Sequence, residues 1–133
     1  MQQANTACNY ISEIAWQTKT FSRYALQRHI YGEVRRVFGL SAQMTIRCIA
    51  KVADAYQLDQ RRKRTFKPLG AITYDDRILS WRITESQVSI WTTDGRLKIP
   101  FVYGDKQREL LITRQGESDL IFFQRPILLV CHV

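Results

Sequence analysis

Apolar residues recur at spacings of three and four along the first part of the chain, and from about residue 70 onward they tend to alternate with polar ones. The first spacing lines one face of an α-helix and the second lines one face of a β-strand. Ala4, Cys8, Ile11 and Ala15 thus predict a helix running to about Thr18, with no capping residue ahead of it. Ser22 can cap a second helix whose stripe is Leu26, Ile30, Val34 and Val37, and Gly39 is placed to close it in a left-handed conformation. Ser41 caps a third, with Ala42, Ile46, Ile49, Ala53 and Tyr56 turned inward.

Gly70 to Tyr74, Ile78 to Thr84, Gln87 to Thr93 and Arg96 to Tyr103 are short β-branched and aromatic runs. The turn signals Asp75-Asp76-Arg77, Glu85-Ser86 and Asp94-Gly95 separate them, which predicts an antiparallel meander. Leu79, Trp81 and Ile83 alternate with Ser80 and Arg82, and Leu97, Ile99 and Phe101 alternate with Arg96, Lys98 and Pro100, so one sheet face should be buried. Lys106 to Ile112 fits a helical turn, and Asp119 to Phe123 with Ile127 to Val133 fits a last hairpin. The fold class expected is α+β, with a helical segment over 1–60 and a β-rich segment over 61–133.

Composition is ordinary for a folded domain: 133 residues, 45% hydrophobic and 24% charged. No window nears the ~18 consecutive apolar residues of a membrane span, and the N-terminus lacks the basic and apolar regions of a secretory signal, so no membrane partner and a cytoplasmic location are expected. Cys8, Cys48 and Cys131 are isolated from one another, as are His29 and His132. Neither a disulfide framework nor a zinc site follows, and buried thiols are the expectation.

Charge changes the picture. The net charge is +8, and all of it lies in residues 1–70, where 12 Lys and Arg face Glu13, Glu33, Asp54 and Asp59; residues 71–133 carry 8 of each sign. Such asymmetry favours a polyanionic partner, because Lys and Arg displace the counterions condensed on phosphates. The densest run is Arg61, Arg62, Lys63, Arg64 and Lys67, with Phe66 among them. Like charges crowded this way repel, so a phosphate backbone lying across them would account for the run, although a solvated linker would too.

Further binding candidates sit on the helices. Gln43, Arg47 and Lys51 are spaced by four and share one side of the third helix, where they could meet phosphates or base edges; a solvated face has the same spacing. Arg28 and Arg35 share a face of the second helix, with Arg36 beside them. Trp81 and Trp91 could stack bases, but aromatics at alternating strand positions more often pack a core. The glycines are scattered singly, there is no GxSxG, and the acidic pairs Asp75/Asp76 and Glu117/Asp119 read as turn or loop-edge chemistry, so no catalytic residue is assigned.

Phe38 to Arg47, continuing through Ala50 to Tyr56, resembles the TnpB/OrfB family of insertion-sequence transposases. So do Phe66-Lys67-Pro68, Gly70-Ala71-Ile72, Tyr74 to Trp81 and Gly116 to Leu120, in the family's order and spacing and over almost the whole chain. The resemblance implies that full-length relatives are RNA-guided DNA endonucleases, ancestral to type V CRISPR effectors. A helical recognition domain interrupts a wedge domain, an oligonucleotide-binding-like β-barrel, and the two hold guide RNA and read target DNA. A RuvC-type nuclease with a zinc ribbon follows and cuts with magnesium.

By that comparison the chain starts inside the family's first helix, leaving the barrel incomplete at its N-terminal edge, and Val133 falls before the first catalytic aspartate. The resemblance therefore implies an N-terminal fragment or relic copy that binds guide RNA and DNA without cutting, with magnesium and zinc confined to the nuclease part. Gln124-Arg125-Pro126 departs from the Asp-Gly turn usual in relatives. The alternative is a helix-turn-helix transcriptional regulator, suggested by two helices joined through Gly39-Leu40-Ser41, with Gln43 and Arg47 reading bases.

Overall fold

The computed structural model describes the chain apart from Asp76, Thr93, Asp94, Tyr103, 114–117, 123–126 and 132–133, and apart from the side chains of 113, 118, 121–122 and 127–131. The chain is α+β and divides into two compact units, Met1–Ile72 and Thr73–Val133. The division places the basic run 61–67 with the helices rather than with the strands that follow.

The first unit contains α1 (Gln2–Thr18), α2 (Arg23–Phe38) and α3 (Ala42–Leu58). Ser22 accepts a hydrogen bond from the Ala25 N–H at 3.5 Å and Ser41 one from the Met44 N–H at 3.2 Å, so both expected caps are made. No side chain caps α1. Gly39 closes α2 at φ 64°. Lys19 closes α1 in the same left-handed region at φ 52°, an uncommon conformation for a residue with a Cβ. Its ammonium lies over the Trp16 ring, 3.4 Å from the centroid, an attraction that offsets part of that strain.

Ala4, Cys8, Ile11 and Ala15 are buried as the α1 stripe predicts, and so are Leu26, Ile30 and Val34 of α2. Val37 is not; it is 51% exposed in the last turn of the helix. On α3 the inward face is wider than expected and turned toward Met44, Cys48 and Val52, which join Ile49, Ala53 and Tyr56, while Ala42 and Ile46 are half-buried. The reason is packing on two sides, since α3 lies against both α1 and α2 and a single narrow stripe cannot serve two partners. Each fully buried aliphatic side chain here contributes about 1.5–3 kcal/mol.

In the second unit β1 (Ile72–Tyr74) is followed by β2 (Leu79–Arg82), a 3-10 turn (Ile83–Glu85), β3 (Gln87–Thr92), β4 (Gly95–Pro100), α4 (Asp105–Thr113), β5 (Ser118–Phe122) and β6 (Ile127–Cys131). The strands β2, β3 and β4 form the expected antiparallel meander, and β5 pairs antiparallel with β6 as the last hairpin. The first strand leaves the meander and joins that hairpin, in the order β1-β5-β6. The described strands therefore make two three-stranded sheets that share no strand, and they close no barrel.

Register explains which apolar residues are covered. Leu79 faces Ile90 and Ile90 faces Leu97, while Trp81 faces Val88 and Val88 faces Ile99. Leu79, Val88 and Ile90 are buried, but Leu97 and Ile99 are 50% and 43% exposed. The expected burial of β4 is thereby corrected: Leu79, on the opposite edge strand of the same sheet, is covered, whereas the β4 positions that face Ile90 and Val88 are not. Ile83 leaves the strand for the 3-10 turn, which ends the alternation there.

Candidate nucleic-acid interface

The basic segment after α3 has no strand partner among the described residues, yet its backbone is not left unsatisfied. Asn5, Asn9 and Ser12 lie on α1 at spacings of four and three, beside the apolar stripe, and receive the chain from 64 to 70. Ser12 Oγ donates to the Arg64 carbonyl and shares a hydrogen bond of 2.8 Å with the Tyr56 hydroxyl, which accepts from the Arg64 N–H at 3.1 Å. Asn9 donates to the Phe66 carbonyl at 2.9 Å and accepts from the Phe66 N–H at 2.7 Å. Asn5 donates to the carbonyls of Pro68 and Gly70 at 3.0 and 2.9 Å. Side chains thus replace the ladder a sheet would supply, and the segment is laid along α1 as a strap.

Lys51 locks the far end of the strap. Its ammonium donates to Asn5 Oδ1 at 2.7 Å and to the Ala71 carbonyl at 2.8 Å, and it lies 5.2 Å from the centre of the Phe66 ring. Of the predicted binding residues on α3, this one is used inside the chain. Gln43 and Arg47 are half-buried, and each has an interaction partner of its own.

With the backbone held, the strap's cations are set outward. Arg61, Arg62, Lys63 and Lys67 are exposed, and Arg64 and Phe66 are half-buried. The crowding that seemed to call for an outside anion is eased from within. Asp59 lies within 3.6 Å of Arg61 Nε, 3.4 Å of Arg62 Nε and 3.8 Å of an Arg64 guanidinium nitrogen. Glu13 pairs with Lys63 at 2.7 Å. Two carboxylates are thus shared among four of the five cations, and the cluster keeps a surplus of three positive charges.

The pairings shift the titration of their members. The Lys63 ammonium holds the Glu13 carboxyl below its ordinary range and is itself raised by Glu13. The Arg61 backbone N–H, followed by the Arg62 and Arg64 guanidinium groups, holds Asp59 below its ordinary range.

On α2, Arg28, Arg35 and Arg36 are exposed. Arg35 donates through Nε to the Leu40 carbonyl at 3.4 Å and stands 5.9 Å from the Tyr31 ring centre. Arg61, Arg62, Lys63, Arg64 and Lys67 thus follow one another along the segment after α3, Lys51 reaches its far end from α3, and Arg28 and Arg35 stand on α2.

Other candidates resolve into local structure. Cys8 and Cys48 are buried free thiols, and the Cys8 sulfur together with burial pushes the Cys48 thiol far up. The side chain of Cys131 lies outside the described residues, as does His132. Trp81 packs edge-on against Phe101 at 4.9 Å, and its buried indole N–H has no partner among the described residues. Trp91 is half-buried. Asp75 accepts from the Arg77 N–H at 3.0 Å, which is turn chemistry, while Asp76 lies outside the described residues. Asp119 accepts from the Thr73 hydroxyl at 2.7 Å, and Glu117 lies outside the described residues.

The anchoring residues Asn5, Asn9, Ser12 and Tyr56 were not identifiable as such from the sequence. Their one signal is a polar row at helical spacing next to an apolar stripe, which a solvated face shares. Among the described residues no helix is long and apolar enough to cross a membrane. No protein-family model matches the chain, and no curated protein matches it.

Proposed function

We propose that the chain binds nucleic acid through its helical unit. One observation carries this: the whole net charge of +8 belongs to the unit Met1–Ile72, where Arg61, Arg62, Lys63 and Lys67 are exposed along and just before a segment whose backbone is anchored from 64 to 70. A pre-ordered row of cations loses little conformational freedom on meeting phosphates, and each contact releases condensed counterions.

The resemblance to TnpB/OrfB transposases supports a narrower form of the same reading. In it the three helices are recognition-type, the two sheets belong to an oligonucleotide-binding-like wedge, and the ligands are guide RNA and target DNA. The chain then contributes binding to an RNA-guided DNA endonuclease, and cleavage belongs to other carboxylates and their magnesium.

A helix-turn-helix regulator has the Gly39-Leu40-Ser41 turn in its favour, but a recognition helix must offer a face to a groove. Here α3 is packed on both α1 and α2, Gln43 and Arg47 are half-buried, and Lys51 is bonded within the unit.

Titration of a structured RNA and of duplex DNA across a range of salt concentrations tests the proposal. Affinity should fall steeply with salt, by about 0.7 to 0.9 in log–log slope per phosphate contact. Salt-independent binding, or unchanged binding after Arg61, Arg62, Lys63 and Arg64 all become Ala, would remove it.

A further inference from the structure

The surface of α2 away from its buried stripe reads Tyr24, Arg28, Tyr31 and Arg35, at spacings of four, three and four. These four share a face, aromatic and cationic by turns. Tyr24 is 81% exposed, Arg28 and Arg35 are exposed and Tyr31 is half-buried. A solvated helix face would ordinarily carry charges of both signs and few rings. On α2 the one acid, Glu33, is engaged with the Tyr10 hydroxyl of α1.

Gly32 lies inside this continuous helix without a packing reason. Glycine is the poorest helix former after proline, and a Cβ built at Gly32 would meet nothing within 4 Å. The missing side chain helps open a depression of about 470 Å³ lined by Tyr31, Gly32, Arg35, Arg36, Gly39 and Leu40. Tyr31, Arg35 and Arg36 are among its lining residues, and the Arg35 guanidinium stands over the Tyr31 ring, 5.9 Å from its centre, which leaves the opposite face of the ring for a base.

We propose that this face of α2 is a stacking surface for unpaired nucleobases, with Tyr24 and Tyr31 as platforms, the Gly32 depression as a base seat, and Arg28, Arg35 and Arg36 on the intervening phosphates. Seven residues of helix rise about 10 Å, which is about three base steps at ~3.4 Å. Stacking on aromatic rings beside arginines suits single strands, because every base has a π-face and a duplex hides it. The inference rests on the nucleic-acid reading above and adds which form of nucleic acid this face selects.

Three ligands separate its parts: a single-stranded oligonucleotide tested as RNA and as DNA, a blunt duplex of equal length, and inorganic polyphosphate, which has charge and no bases. Replacing Tyr24 and Tyr31 together by Leu should weaken single-strand binding about fivefold or more, the low end of base–aromatic stacking, with polyphosphate affinity unchanged. Replacing both by Phe keeps the rings and should keep the affinity. Gly32→Leu should raise the melting temperature yet weaken single-strand binding, a pairing that a purely structural role for Gly32 does not give.

Equal loss on all ligands, or no loss on the single strands, in the Leu pair would overturn the stacking surface while leaving the electrostatic reading intact. Failure of the unaltered protein to bind any of the three would remove both.

Discussion

Asn9 meets the backbone of Phe66 with both ends of its amide, the nitrogen donating to the carbonyl at 2.9 Å and the oxygen accepting from the N–H at 2.7 Å. The arrangement copies one rung of an antiparallel sheet, with a helix side chain in the place of the second strand. It fixes the strap midway between the Ser12 and Asn5 contacts, and it holds the Phe66 ring near the Lys51 ammonium.

Asn9→Ala removes both bonds at once. A hydrogen bond contributes about 0.5–1.5 kcal/mol net, so unfolding in urea should show a loss of about 1–2 kcal/mol at this exposed site. The Phe66 amide should also exchange with solvent faster than in the unaltered protein. Unchanged exchange at Phe66 would mean that the strap is held by something else.

Asp59 competes with any phosphate that reaches Arg61, Arg62 or Arg64. Asp59→Asn keeps the shape and removes the charge, so affinity for RNA or duplex DNA should rise, and the salt slope should steepen by about one phosphate contact, 0.7 to 0.9. Titrations at several salt concentrations would show both changes. A weaker complex in the Asn variant would show instead that Asp59 orders the guanidinium groups for binding.

The same carboxylates make stability depend on pH in a definite direction. Glu13 and Asp59 have folded-state pKa values below their ordinary range, so the stability they add is present above the ordinary carboxylate pKa and is lost as pH falls through the lowered one. Lys63 has a raised folded-state value, so its share is present below the ordinary lysine pKa and is lost as pH rises through the raised one. Melting temperatures of the protein and of a Glu13→Gln variant should converge in acid and differ near neutrality. A constant difference across that range would contradict the linkage.

The proposed division of labour predicts no cleavage by this chain alone. Plasmid DNA incubated with the protein, magnesium and a structured RNA should remain uncut. Magnesium-dependent nicking that disappears when one of the chain's own carboxylates is replaced would place a nuclease site here.

The helices were largely legible because their signals are local. Ser22, Gly39 and Ser41 act through bonds within four residues of themselves, and the α1 stripe needs only one covering surface. The width of the α3 face was not legible, since it depends on how many neighbours the helix acquires. Leu97 and Ile99 alternate as Leu79 does, yet they are half exposed and Leu79 is buried, because alternation along a strand carries no information about which end of a sheet face the rest of the chain covers.

The basic run was visible as a candidate site, but its neutralisation was not. Lys63 and Glu13 are far apart in sequence and meet at 2.7 Å because the strap doubles back along α1. The row Asn5, Asn9 and Ser12 that makes it do so looks like an ordinary wet face until the chain it holds is seen. Lys51 shows the converse, a cation at a plausible binding spacing whose ammonium is occupied at home.

Asn5 sits near the start of α1 and holds the carbonyls of Pro68 and Gly70, near the end of the same unit. The unit's two ends are thereby brought to one place. A module with adjoining ends can be spliced into a loop of another protein, or relinked end to end and reopened between α1 and α2, without breaking the packing of its helices.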